Sequence, residues 1–226
     1  MLRDGCALPG NTGSSESRRR HDLVRLTPEA WQSVHAAAVG VDVDILALWR
    51  ERDLPLVVAR QDGVAPGGLR LGLPAPARFE RRRLTLVVDP AGLRDAGGFP
   101  RADEIAPLIA EAVRPAWDDL ARRLPAARVF GSHGWQHLTG LAYLRRGSDI
   151  DLLVPVAQAG EADAVAACLA AAPRALPRLD GELVFPDGAA VAWREWQAWR
   201  AAAVRELLVK RTRGVTLAST LAELAP

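Results

Sequence analysis

Cysteine is nearly absent: two residues in 226, with Cys6 in a polar N-terminal stretch and Cys168 far from it. That is too few for a disulfide framework, and a reducing cytoplasm is the default expectation. No apolar run approaches the ~18 residues that would cross a bilayer. Residues 1–20 lack the apolar core of a secretory signal and read instead as a disordered leader, rich in Gly, Ser, Asn and Arg. Lysine is almost missing too, since every basic side chain except Lys210 is an arginine. Net charge is only +2; residues 1–89 carry it and residues 90–226 are neutral. Neither half is basic enough for bulk nucleic-acid binding, so the expected partners exclude nucleic acid and membrane. What is present is ordinary for a globular protein, 49% apolar and 25% charged residues, enough for one large domain or two small ones.

Hydrophobic pattern and punctuation divide the chain. Thr27-Pro28 is a helix start, with a capping hydroxyl followed by proline at the first helical position. It predicts a helix over 28–39 and a shorter one over 43–50. Strands are expected over 54–59, 69–73 and 84–88. The stretch 89–100 carries Pro90, Gly92, Gly97 and Gly98 and reads as a linker, so domains are expected over 21–92 and 93–226. The second part predicts a helix over 102–124 kinked or split at Pro115, a strand over 127–130 and a helix over 133–144. A strand over 148–154, a helix over 161–172, a hairpin over 176–196 turning at Pro186-Asp187-Gly188, and a helix over 196–209 complete it. Strands alternating with helices plus a hairpin point to an α/β or α+β sandwich.

The chemistry concentrates in Gly131-Ser132 and, sixteen residues on, Asp149-Ile150-Asp151-Leu152-Leu153. Acids at i and i+2 of a strand share one face, with α-carbons about 6–7 Å apart. Ile150, Leu152 and Leu153 mark the strand as buried, and buried like charges that close need a cation between them. A divalent metal such as Mg²⁺ (or Mn²⁺) suits two carboxylates that also share substrate phosphates. Gly131-Ser132, at a strand-to-helix turn, offers close backbone approach, a hydroxyl and free N–H groups for those phosphates. A third acid is expected on a neighbouring strand: Asp180 first, Glu182 second, Glu195 third. The plain alternative is a salt-bridged strand, with Asp149 and Asp151 paired to Arg145, Arg146 or Arg178.

Gly-Ser followed by Asp-x-Asp resembles the polymerase-β type of nucleotidyltransferase, although the interval is longer than usual there. The fuller string is more particular. Gly131-Ser132-His133-Gly134-Trp135-Gln136-His137-Leu138-Thr139-Gly140-Leu141, Ser148-Asp149-Ile150-Asp151-Leu152-Leu153 and Arg178-Leu179-Asp180-Gly181-Glu182-Leu183 resemble the malonate decarboxylase holo-acyl-carrier-protein synthase (phosphoribosyl-dephospho-CoA transferase) family. His21-Asp22-Leu23-Val24 and Pro55-Leu56-Val57-Val58 extend the likeness more loosely into the first half. The resemblance implies an α+β fold: a polymerase-β-type nucleotidyltransferase domain, a mixed sheet with helices, preceded by a smaller α+β domain. It implies transfer of phosphoribosyl-dephospho-CoA from 2'-(5''-triphosphoribosyl)-3'-dephospho-CoA to a serine of the apo acyl-carrier subunit of malonate decarboxylase, with diphosphate leaving. It places the metal pair on Asp149 and Asp151 and phosphate contact on Gly131 and Ser132. The third acid does not carry over in the same way. Two other functions remain open: a nucleotidyltransferase with a different acceptor, and a non-catalytic adaptor that binds carrier or nucleotide.

Around this core, Lys210 is a candidate for the β/γ phosphates, against a solvated helix end. His133 is a candidate phosphate contact; the spacing of His133 and His137 could bind zinc but lacks supporting ligands. Trp135, Trp193, Trp196 and Trp199 read as packing rather than base stacking. Arg81-Arg82-Arg83 and Arg145-Arg146 are candidates for a rim that attracts an acidic carrier.

Overall fold

Alternation along the strands sets which face each sheet buries. In the N-terminal half, β1 (Leu23–Leu26), β2 (Leu56–Val58), β3 (Leu69–Pro74), β4 (Arg83–Val88) and β5 (Leu93–Asp95) form an antiparallel sheet in the order β4-β3-β2-β1-β5. Leu69, Leu71 and Leu73 are buried while Arg70 and Gly72 between them are not, the period-two pattern of a half-covered sheet. Two helices, α1 (Pro28–Ala36) and α2 (Val41–Glu51), contribute Trp31, Ile45, Leu46 and Trp49 to the same core. The helix start read from Thr27-Pro28 is present: the Ala30 N–H donates to Thr27 Oγ1 at 3.3 Å.

The computed structural model describes residues 18–36 and 40–224. Most of the leader expected over 1–20, and positions 37–39 at the end of the first expected helix, lie outside these residues. Arg18, Arg19 and Arg20 are described, and Arg20 is half-buried against the second half of the molecule rather than part of a leader. The stretch 89–100 is more than a linker. Its β5 pairs antiparallel with β1 and carries the first sheet three residues past the boundary expected after Gly92.

The second half builds a mixed six-stranded sheet from β6 (Arg128–Phe130), β7 (Ile150–Pro155), β8 (Leu179–Val184), β9 (Ala190–Ala192), β10 (Leu207–Arg211) and β11 (Gly214–Ala218), in the order β11-β10-β9-β8-β7-β6. Only β7 and β8 are parallel, joined through α5 (Ala159–Ala170). The remaining helices are α3 (Arg114–Arg123), α4 (Gly131–Thr139), α6 (Trp193–Arg200) and α7 (Leu221–Leu224). One sheet face, with Ile150, Leu152, Leu183, Val191 and Val209, packs under Trp117, Leu169, Trp193 and Trp196. The other face turns Leu153 toward the first domain, where it joins Phe99, Trp135 and Tyr143 in a core shared with the smaller sheet. The architecture is α+β, as expected.

Two expected helices are different. The 102–124 segment is helical only from Arg114, and before it lie short 3₁₀ turns at Ala106–Leu108 and Glu111–Val113. Pro107 and Pro115 sit in the first turns of their helices, where a missing N–H costs nothing; the expected helix is split at Pro115 and not kinked there. The 196–209 helix ends at Arg200, and Leu207–Arg211 is a strand. It pairs with β11 across a Thr212-Arg213 turn, burying Leu207 and Val209 alternately. The hairpin return expected to reach Trp196 stops at Ala192, so Glu195 lies exposed in the first turn of α6 and not on a strand.

Candidate active site

The site lies on the face of the second sheet that looks toward the first domain. Parallel register places Asp151 of β7 directly beside Asp180 of β8, on the shared face that the period-two rule requires. Gly181 lets the strands meet this closely. Its φ is +139°, and a β-carbon there would fall 2.1 Å from the Leu152 carbonyl oxygen. The Gly181 N–H also donates to Asp180 Oδ1 at 2.9 Å, fixing that carboxylate at the strand edge.

β6 leads into α4 through Gly131, whose φ of +59° is open to glycine. A β-carbon at Gly131 would stand 1.9 Å from Asp151 Oδ2, so the Asp151 carboxylate rests directly against this turn. Ser132 follows, half-buried, in the first turn of a helix with no side-chain cap, where backbone N–H groups are free for an anion. His133 is 4% exposed, and its Nδ1–H donates to the Asp149 carbonyl at 3.1 Å. Burial lowers its pKa, so the ring is a neutral brace that fixes the start of β7 relative to α4. His137 is exposed, so the two histidines form no pair.

Burial, and then the neighbouring Asp180 and Asp149 carboxylates, push Asp151 up to about 6, with the Arg83 guanidinium of β4 opposing them. Among the described residues neither Asp149 nor Asp151 has a salt-bridge partner; Arg178 lies instead 3.6 Å from Asp180. An anion so raised, beside two others, is unfavourable without positive charge nearby. No group of three His, Cys, Asp or Glu side chains among the described residues is arranged to enclose a metal alone. Such an ion would need phosphate oxygens or water to complete its shell. A cavity of about 940 Å³ runs along β4 and is lined by Arg83 but by none of the three aspartates.

Glu182, two residues beyond Asp180, is differently placed. It is 6% exposed and enclosed by cations. Arg20 Nη2 donates to both its oxygens at 3.2 and 3.1 Å, Lys210 Nζ donates at 2.9 Å, and His21 Nε2 lies 3.4 Å away. Burial pushes its pKa up, but His21, Arg20 and Lys210 outweigh that and hold the carboxyl well below the usual range. Lys210 is thus on a strand, half-buried and facing Glu182, rather than at a helix end.

A family model described as the phosphoribosyl-dephospho-CoA transferase MdcG C-terminal domain matches residues 101–220, and one for the N-terminal domain of the same family matches 19–97. Curated proteins named phosphoribosyl-dephospho-CoA transferase are similar along most of their length. The one from Xanthomonas axonopodis pv. citri is 38% identical over 205 residues, 88% of this chain and 92% of that protein. The one from Bradyrhizobium diazoefficiens is 36% identical over 207 residues, 88% of each. The chain belongs to the phosphoribosyl-dephospho-CoA transferase family. It is a transferase enzyme, which sets aside the non-catalytic adaptor. No solved structure matches this chain.

In this transferase the structure brings together Gly131, Ser132, Asp149, Asp151 and Asp180, and places Glu182 with Lys210 in a separate ionic cluster. Two contributions from the first half escaped the sequence reading. Arg83 acts on Asp151, and its place in the Arg81-Arg82-Arg83 run was a signal only of charge. Arg20 and His21 bind Glu182 across 162 and 161 positions of sequence, which no local pattern announces.

Proposed function

We propose that this transferase moves the phosphoribosyl-dephospho-CoA group from 2'-(5''-triphosphoribosyl)-3'-dephospho-CoA to a serine hydroxyl of the apo acyl-carrier subunit of malonate decarboxylase, in the cytoplasm, on a polymerase-β-type nucleotidyltransferase domain. The observation that carries it is the Asp149 and Asp151 pair, without a salt-bridge partner among the described residues, beside Asp180 and the Gly131-Ser132 turn. A Mg²⁺ or Mn²⁺ ion held by Asp149 and Asp151 would neutralise triphosphate charge and polarise the α-phosphorus. Ser132 and the free N–H groups at the start of α4 hold phosphate oxygens, and Gly131 keeps the backbone close enough to do so. Asp180, adjacent to Asp151, is the third carboxylate and faces the incoming serine. The serine oxygen bonds to the α-phosphorus, the bond to the β-phosphate oxygen breaks, diphosphate leaves, and the serine proton passes to a carboxylate or to water. Arg145 and Arg146 are exposed in the α4–β7 connection, and Arg81 and Arg83 are exposed on the first half of the chain, where Arg81 Nη2 donates to the Tyr143 carbonyl at 3.4 Å. Together they form a cationic rim suited to an acidic carrier.

The decisive experiment incubates purified enzyme, apo-carrier, the triphosphoribosyl donor and Mg²⁺, then weighs the intact carrier. The expected result is one added phosphoribosyl-dephospho-CoA on serine and one diphosphate released per carrier. An unmodified malonate decarboxylase carrier, with another acceptor labelled in its place, would favour the alternative of a nucleotidyltransferase with different acceptor specificity.

A further inference from the structure

Around the strand end from Asp180, on the helix-covered side of the second sheet, a hollow of about 380 Å³ lies between the end of α5, the following loop and the start of α6. Its charged lining residues are Arg174, Arg178 and Arg194, with no carboxylate among them. Arg178 leans to Asp180 outside the hollow, at 3.6 Å, while Arg174 and Arg194 have no carboxylate partner among the described residues. Arg194 is not a loose surface charge. Its guanidinium lies over the Trp193 ring at 4.2 Å and donates to the Leu179 carbonyl at 3.0 Å. Trp193, itself a lining residue, is 2% exposed, and its indole N–H is buried without an acceptor. Trp193 also begins α6, whose first turn has no side-chain cap, so free backbone N–H groups add to the same positive field.

Two guanidinium groups without a carboxylate partner among the described residues, Arg174 and Arg194, beside an uncapped helix start make a receptor for a compact multivalent anion. The donor discussed above carries two such groups. One is the triphosphate that reacts; the other is the diphosphate joining adenosine to pantetheine, which does not react and needs neutralising without chemistry. We infer that this hollow binds the diphosphate of the dephospho-CoA half of the donor, while the triphosphate lies at Asp149, Asp151 and Asp180. The inference rests on the proposed donor. Arg178, two residues before Asp180, joins the two anion sites around a single strand end, so one extended molecule can occupy both.

The test is calorimetric titration of the full chain with dephospho-CoA alone, without metal, followed by transfer kinetics with the complete donor. Dephospho-CoA should bind the wild type, and Arg174→Glu and Arg194→Gln should each weaken it about tenfold or more, the effect of losing a charged hydrogen-bonding partner. In transfer, both variants should raise the KM for donor by a similar factor with kcat little changed, and Arg174→Lys should recover part of the loss. Equal dephospho-CoA affinity in wild type and Arg174→Glu, at equal melting temperature, overturns the inference. Inorganic diphosphate binding more tightly than dephospho-CoA, in an Arg174-dependent way, also overturns it and makes the hollow a product site. Carrier loading with an unchanged donor KM in Arg174→Glu removes the hollow but leaves the transfer reading standing. Arg174-dependent binding of dephospho-CoA by an enzyme that loads no carrier removes the transfer reading and leaves the hollow standing.

Discussion

Asp151 and Glu182 occupy one face of one sheet, on neighbouring strands and two residues out of register, yet their surroundings treat them oppositely. Asp151 is half-buried among carboxylates with a single opposing guanidinium and is pushed up to about 6. Glu182 is more deeply buried but receives Arg20, His21 and Lys210, and is held far down. Burial alone raises both; the supply of cations decides between them. A carboxylate left short of positive charge is available to a ligand, whereas one already satisfied is available to the fold. Sequence alternation alone could not separate these two roles, because Asp180 and Glu182 share the same face.

Substitutions should expose the contrast most strongly at the uncompensated end. Asp149→Ala and Asp151→Ala should each reduce carrier loading by about a thousandfold or more, the scale of losing metal-assisted charge neutralisation. The melting temperature should hold or rise, since Asp151 is ionised at a cost in the free enzyme. A large drop in melting temperature with activity retained would erase the distinction drawn here. Glu182→Gln should do the reverse, lowering folding stability by on the order of 3 kcal/mol because buried cations lose their counter-charge. Transfer by the surviving folded fraction should change far less.

Acid sharpens the same contrast. The native pKa of Glu182 lies below its unfolded value of about 4.5, so as pH falls through that value the unfolded chain takes up the proton first. The stability contributed by Glu182 is therefore full at neutral pH and is lost as pH falls from about 4.5 toward the native pKa. Melting curves of wild type and Glu182→Gln should run parallel from neutral pH to about 4.5 and converge below it, and curves still parallel at about pH 3 would deny Glu182 its role. The smallest effect should come from the rim. Arg145→Glu with Arg146→Glu should lower kcat/KM for the carrier several-fold and flatten its salt dependence, leaving the KM for donor unchanged.

Much of the site was legible because its elements announce themselves locally. The apolar run around Asp149 and Asp151 marks a buried strand, Gly131-Ser132 stands where a strand gives way to a helix, and Asp180 follows a buried leucine on the next strand. The family resemblance lay in the same residues. The failures also have local causes. Leu207 to Arg211 is too short to separate helical from alternating periodicity, and the Gly214 that follows its turn went unread as a hairpin signal. Pro115 splits the expected 102–124 helix by opening α3, and Pro107, which the sequence reading did not single out, stands in a separate 3₁₀ turn before it. The Arg20–Glu182 contact joins opposite ends of the chain, so only the folded structure reveals that Lys210 has a partner within the protein.

Phe99, Trp135, Tyr143 and Leu153 share a single core with the smaller sheet, and the Tyr143 hydroxyl donates to the Pro74 carbonyl at 2.7 Å. The smaller sheet is therefore not an appendage that can be trimmed away. A catalytic fragment begun after Asp95 would carry an aromatic seam bare to water and would also strip Glu182 of Arg20 and His21. Anyone wishing to miniaturise this enzyme should expect insoluble material from the lone half, and should co-produce both pieces if either is to be handled apart.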